Sequence, residues 1–331
     1  MPKSNKPKRL KGIIKWTLWV LLFQFVLINI SASLHAWKQT HFYTDPELKL
    51  LKPSSRNIFI KTWKLFAGFK YPRMGMGSLP SFPYETVVLK TKSGLRIDCW
   101  YSRADSTARG SIALFHGLGN NKSYLLYEAS LFRMLGYNVL LVDLRAHGTS
   151  DGHTTSLGYL ETEEVKLACD HFEGRGEKNI YLWGMSLGAN IIAKAFTDYS
   201  IRPKGIILEM PTACLQAFLE SRSRQLGFPG EPYGFLVTAW VGIERGFNGF
   251  GLKTVDYAAR INCPVLLQAG SRDIYTTAEQ TGQIFDRIPV SNKRLVIYED
   301  AGHQPLAKFD PVKWKEETGN FLAAAAAAAP L

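Results

Sequence analysis

From about residue 85 onward, short apolar runs alternate with stretches whose apolar residues recur at helical spacing. The runs cover 86–89, 95–101, 111–115, 138–143, 180–183, 205–209, 265–269 and 294–298. Each is four to seven residues long and bounded by turn residues, the mark of strands. The first two flank Ser93-Gly94 and are expected to pair across that turn. Helical spacing is found at 123–135, 162–172 and 189–196. Alternating strands and helices predict a mostly parallel central sheet with helices on both faces. Ligand sites in such sheets gather at the carboxyl ends of the strands.

Two regions break the alternation. Between 212 and 254, Phe218, Leu226, Phe228, Phe235, Leu236, Trp240, Phe247 and Phe250 crowd a stretch that reads as a small helical cap. Its aromatics either line an apolar pocket or hold the cap together. The alanine tract at 323–329 follows the expected last helix and carries no assigned role.

The N-terminus has a different pattern. Residues 16–34 contain no charge and are rich in Leu, Val, Ile and Phe, which is about the length of a bilayer-crossing helix. Ser31-Ala32-Ser33 would serve a signal peptidase, but the apolar run is long for a signal peptide. A retained anchor is therefore favoured. Further on, Ile58, Phe59, Thr62, Trp63, Phe66 and Phe69 fall roughly on one helical face, with Lys61, Lys64 and Lys70 among them. Such a helix suits a membrane interface, or it packs on the main domain. The expected organisation is a basic cytoplasmic tail (1–15), a transmembrane anchor (16–36), a juxtamembrane segment (37–84), a main domain (85–322) with its cap at 212–254, and an alanine-rich tail (323–331).

Charge sharpens this picture. The net charge is +12, and Lys3, Lys6, Lys8, Arg9, Lys11 and Lys15 precede any acidic residue. A basic flank before an apolar span stays cytoplasmic, so the main domain is expected outside the cytoplasm on a single-pass anchor. The uneven charge fits a membrane better than nucleic acid, and no nucleic-acid partner is expected. Cys99, Cys169, Cys214 and Cys263 are widely separated and form no metal or redox motif. They read as buried thiols, although an extracytoplasmic domain also permits a disulfide.

Gly184-Met185-Ser186-Leu187-Gly188 lies between an expected strand and an expected helix. That setting is a nucleophile elbow, which lifts a serine hydroxyl above the sheet on a strained turn. A serine needs a general base, and the base needs an acid to orient it. Asp273 follows the strand at 265–269, and His303 follows the strand at 294–298, so both sit at strand ends in the order Ser, Asp, His. Glu209 is an alternative acid, and Asp300 reads as a turn residue. His116 and His147 lie on other loops. An oxyanion hole would use the Leu187 amide and one from the loop 115–121, with Leu118 the candidate.

Together these residues resemble the α/β-hydrolase superfamily over about 85–322. The resemblance rests on His116-Gly117, the segment 143–150, Gly184 to Gly188, Gly270 to Asp273, and Gly302-His303. Segment 143–150 is similar to the family's D-x-R-G-x-G-x-S turn, with Ala146 where glycine is usual. The nearest likeness is to membrane-anchored α/β-hydrolase domain proteins and serine-aminopeptidase-like hydrolases. It implies a serine hydrolase with Ser186, Asp273 and His303 as its triad and Leu118 and Leu187 as oxyanion donors. It needs neither cofactor nor metal. An ester or related acyl bond in a small or lipid-like substrate is expected. A peptidase of the same fold, or a non-catalytic binding scaffold, are the alternatives.

Overall fold

A computed structural model describes residues 6–44 and 58–327. Residues 1–5, 45–57 and 328–331 lie outside the described residues, and with them Lys3 and the end of the alanine tract. The described chain starts with helix α1 (Lys6–Thr40), followed by the short strand β1 (Phe42–Tyr43), helix α2 (Ile58–Ala67) and strand β2 (Tyr71–Pro72), which pairs with β1 in parallel. Next come β3 (Glu85–Lys90), β4 (Arg96–Ser102) and β5 (Gly110–Phe115), then α3 (Leu126–Met134) and β6 (Tyr137–Val142). Helix α4 (Thr162–Gly174), β7 (Ile180–Met185), α5 (Leu187–Asp198) and β8 (Gly205–Glu209) follow. The cap contributes α6 (Leu215–Gln225) and α7 (Tyr233–Arg245), and α8 (Thr254–Ala258) leads back to the sheet. The chain closes with β9 (Val265–Gly270), α9 (Ala278–Arg287), β10 (Lys293–Tyr298), α10 (Leu306–Phe309) and α11 (Pro311–Ala327).

The main sheet has the order β10-β9-β8-β7-β5-β6-β4-β3. It is parallel from β10 through β6, whereas β4 runs antiparallel to both β6 and β3. Strands β5 to β9 are buried along their whole length because helices cover both faces. This is why their sequences are apolar throughout rather than alternating. One face packs Leu182, Ile191 and Val165; the other packs Trp183, Phe132 and Trp314.

Helix α1 has two different halves. From Leu10 to Ile30 its large apolar side chains stand exposed. Beyond that, Ser31, Ala32, His35, Ala36, Gln39 and Thr40 are buried on one helical face. Ala32 and Ala36 join the cap core with Leu219, Val237 and Val241. Ser31 Oγ is hydrogen-bonded to Tyr233 Oη (2.8 Å), and Trp240 Nε1 donates to Asn29 Oδ1 (3.3 Å). The anchor boundary drawn at residue 36 thus falls inside the part of α1 that packs on the cap. Hydropathy misses the change because a protein core and a lipid core select the same residues.

The alanine tract is also placed differently. Residues 323–327 are the last turns of α11 rather than a tail beyond it. Alanine is the strongest helix former, and Ala325 is buried near Gly205 at the start of β8. All four cysteines are free, and Cys99, Cys169 and Cys263 are buried.

Candidate active site

Ser186 sits between β7 and α5 with φ +53° and ψ −113°, a conformation that costs a non-glycine residue about 1–3 kcal/mol. Its neighbours explain why that turn holds. A Cβ on Gly188 would overlap the Phe115 carbonyl oxygen, and one on Gly184 would overlap the Gly188 backbone. Both glycines are therefore required for α5 to close onto β7 and β5. The Ser186 amide donates to the Glu209 carbonyl (2.8 Å), which fixes the turn to the end of β8.

Leu118, Ser186 and Leu187 line one pocket, with Leu157 beneath and Leu215 and Phe218 from the cap. A Cβ added at Gly117 would lie in ordinary van der Waals contact with Ser186 Cβ, so this loop runs beside the elbow. Of the cap aromatics singled out in the sequence, Phe218 is the one that lines this pocket among the described residues. Phe228, Leu236, Trp240 and Phe247 pack against the cap core instead. The pocket follows one face of α5 from Ser186 through Asn190 to Lys194. At 1.5 Å per residue that path is roughly 12 Å long. Asn190 Nδ2 donates to Thr212 Oγ1 (2.6 Å), and the Thr212 amide donates back to Asn190 Oδ1 (3.0 Å), which ties α5 to the root of the cap. Lys194 pairs with Asp198 and lies over the Tyr159 ring.

His303 and Asp273 meet at the ends of β10 and β9. His303 Nδ1 lies 2.7 Å from Asp273 Oδ2. The same carboxylate accepts the Tyr275 and Thr276 amides (2.8 and 3.0 Å) and the Thr276 hydroxyl (2.7 Å). Burial pushes its pKa up, but the His303 partner and the Thr276 donors outweigh this and hold it below the usual carboxylate value. The Tyr275 ring meets His303 edge-on at 5.1 Å and Phe218 at 6.2 Å. Tyr275 thus connects the His303–Asp273 pair to Phe218, one of the residues lining the Ser186 pocket. No hydrogen bond joins the Ser186 hydroxyl to His303 among the described residues. Such bonds commonly tighten only with substrate in place.

Glu209, the alternative acid, points elsewhere. Its carboxyl turns into the core, where Oε1 accepts the indole N–H groups of Trp183 (3.1 Å) and Trp314. Oε2 has no partner among the described residues. Burial pushes Glu209 up to about 8, so it is neutral in the fold below that pH. Unfolded, it would ionise near the ordinary glutamate value of about 4.3. Between those values the folded chain holds the extra proton, so this group's contribution to stability falls as pH rises. Glu209→Gln keeps the acceptor for both indoles and removes the proton. Thermal midpoints at pH 5 and pH 8 should therefore drop less in the variant than in the parent. Equal drops would show that Glu209 is ionised in the core.

The histidines at 116 and 147 support the loop that carries Leu118. The Gly119 amide donates to His147 Nε2 (3.1 Å), and the Leu144 amide donates to His116 Nε2 (3.1 Å). Each Nδ1–H then donates to a backbone carbonyl, Arg145 for His147 and Gly117 for His116, at 2.8 Å. Burial lowers His147 to about 3, with the neighbouring His116 adding to it, and lowers His116 to about 4. Both rings are neutral at physiological pH, as acceptors of backbone N–H groups must be.

The segment 143–150 forms a tight turn over Asp143. A Cβ on Gly148 would overlap the Asp143 carboxylate. Ala146 takes φ +65°, the left-handed region that the more usual glycine would occupy without strain. Sequence reasoning missed three supports of this turn: Lys122, Phe42 and Arg73. Lys122 stands six residues after His116 in the same loop, and that nearness was its one sequence signal, since its burial is known from the structure alone. The other two carried none.

A family model described as "Serine aminopeptidase, S33" matches residues 106–223. The Arabidopsis thaliana "Alpha/beta hydrolase domain-containing protein WAV2" is 24% identical over 71% of this chain and 82% of its own length. The Danio rerio "Lysophosphatidylserine lipase ABHD12" is 24% identical over 56% of this chain and 49% of its own. Among solved structures, the Pyrococcus furiosus esterase Pf2001 aligns with a TM-score of 0.63 at 22% identity, covering 76% of this chain and 96% of that one. The Paleococcus ferrophilus monoacylglycerol lipase aligns with a TM-score of 0.51 at 20% identity, covering 69% and 99%. Sheet order and solved structures agree on the α/β-hydrolase fold, and the family model and the relatives support membership of that superfamily.

Proposed function

We propose that this protein is a membrane-anchored serine hydrolase that cleaves an ester or related acyl bond through an acyl-enzyme. The observation that carries the reading is the strained Ser186 elbow in its pocket, with a His303–Asp273 pair at the neighbouring strand ends linked to that pocket through Tyr275 and Phe218. His303 Nε2 takes the Ser186 proton as Oγ attacks the carbonyl carbon. The carbonyl oxygen becomes an oxyanion facing the Leu118 and Leu187 amides. As the intermediate collapses, His303 gives that proton to the leaving group. Water, deprotonated by His303, then attacks the acyl-enzyme and releases the acid and Ser186.

The apolar residues that line most of the pocket, Leu118, Leu157, Leu187, Leu215, Phe218 and Leu252, favour an acyl group, and the lipase names among the relatives favour a monoacyl lipid. The family description also raises a peptidase. An aminopeptidase must hold a substrate ammonium group, usually with a carboxylate. The charged residue lining this pocket is Lys194, a cation, and no Asp or Glu lines it among the described residues. That favours the acyl ester.

Anchoring is supported by α1, which is long and apolar enough to cross a membrane, and whose exposed run from Leu10 to Ile30 would span roughly 30 Å. The basic residues before it favour an orientation with the hydrolase domain outside the cytoplasm. Helix α2 leaves Ile58, Ile60 and Trp63 exposed, which suits an interfacial position better than packing on the domain. Protein reconstituted in vesicles should hydrolyse a monoacylglycerol at least about tenfold faster than an amino-acid anilide. An acid-quenched reaction should leave the acyl mass on the Ser186 peptide. Faster anilide cleavage, or an acyl mass on another residue, would sink the reading.

A further inference from the structure

The end of the anchor helix reaches the loop that carries the first oxyanion donor. Phe42, two residues beyond α1, is buried, and its ring centroid lies 4.5 Å from that of His147. A Cβ at Gly119 would touch the same Phe42 ring. Backbone bonds hold this segment in place: the Phe42 amide donates to the His153 carbonyl, and the Thr155 amide to the Thr40 carbonyl, both at 2.9 Å. From β2, the Arg73 amide donates to the Tyr43 carbonyl (2.8 Å). The Arg73 guanidinium then donates to four carbonyls of the turn that carries His147. These are Gly148 (2.9 Å), His147 (3.1 Å), Gly152 (3.2 Å) and Ser150.

We propose that Phe42 and Arg73 are positioning residues for the oxyanion hole. They clamp His147 from two sides, and His147 Nε2 holds the Gly119 amide next to Leu118. A guanidinium donating to four carbonyls of one turn fixes that turn's shape, since each lost bond would leave a partly buried carbonyl without a donor. The Phe42 ring closes the remaining side of the imidazole, so the ring cannot tilt away from the Gly119 N–H. The Leu118 amide is thereby aimed before substrate arrives, as an oxyanion donor must be. The anchor and the catalytic loop are then one mechanical unit, and a hydrolase domain cut at residue 85 would lack part of its site's support.

The proposal rests on the acyl-enzyme reading, because it assigns a role to the Leu118 amide. The test uses the full-length protein in detergent with a p-nitrophenyl ester. Phe42→Leu and Arg73→Gln are compared with the parent and with Ser186→Ala. Thermal midpoints identify the folded variants. Misaiming a catalytic group by about 1 Å costs on the order of 10²-fold in rate. Each variant is expected to lose roughly 10- to 100-fold in kcat, with KM within about twofold of the parent. Arg73→Lys should recover part of the Arg73→Gln loss. A merely structural role would lower the thermal midpoint and leave kcat per folded molecule unchanged. The proposal is overturned by kcat within about twofold of the parent in both folded variants, or by a loss confined to KM. If Ser186→Ala keeps full activity, the acyl-enzyme reading fails instead, whatever the other two variants do.

Discussion

Ser186→Ala is expected to lower ester hydrolysis by about 10⁴- to 10⁶-fold and to abolish labelling by a fluorophosphonate. The size follows from the chemistry. A serine nucleophile, its base and the orienting acid act as a unit, and the rate that survives comes from oxyanion stabilisation and binding alone. Asp273→Asn should cost about 10⁴-fold by the same logic, because the amide no longer selects the His303 tautomer with Nε2 free to accept a proton. Neither loss should come from unfolding in the serine variant. The Ser186 hydroxyl makes no hydrogen bond among the described residues, and alanine meets the same backbone strain. Its stability should stay within about 0.5 kcal/mol of the parent. Equal labelling of parent and variant would mean that another residue is the nucleophile. Absence of labelling in folded parent protein would favour a non-catalytic scaffold.

Lys122→Met should produce the largest loss of stability, about 3–5 kcal/mol. Lys122 is fully buried, and its ammonium sits 2.7 Å from Asp98, 2.6 Å from Asp143 and 2.7 Å from the Thr149 hydroxyl. Its own amide donates to the other Asp143 oxygen at 2.6 Å. Methionine fills a similar volume but leaves the fully buried Asp143 without a counter-charge. Removing one partner of a buried pair is far costlier than replacing both. The thermal midpoint should fall by on the order of 10 °C. The double variant Lys122→Met, Asp143→Asn should recover part of that drop, since the fully buried charge is gone and only the partly exposed Asp98 is left unpaired. A midpoint for Lys122→Met within about 2 °C of the parent would show that Asp143 does not need the lysine.

Much of the sheet was legible from residues alone. The apolar runs at 111–115, 138–143 and 180–183 lie on β5, β6 and β7, and runs of that kind occur where a strand is buried on both faces. The glycines at 184 and 188 were readable as close-approach positions, since the backbone contact they permit is only a few residues away in sequence. The pairing of His303 with Asp273 followed from strand ends and chain order. Chain order and strand-end position favoured Asp273 over Glu209 in the sequence, and the structure adds that Asp273 lies beside His303 while Glu209 turns into the core.

By itself, the sequence determined the alternation of strands and helices, the apolar N-terminal run, and the residue types at the strand ends. These depend on periodicity and turn chemistry within a few residues of each position. Only the tertiary structure decided that residues 31–40 pack on the cap, that residues 323–327 belong to the last helix, and that Phe42, Arg73 and Lys122 gather on the turn whose His147 accepts the Gly119 amide. The contacts of Arg73 bridge more than seventy positions of chain. No local pattern encodes such a contact, because it exists only once the sheet has closed and brought the two segments together.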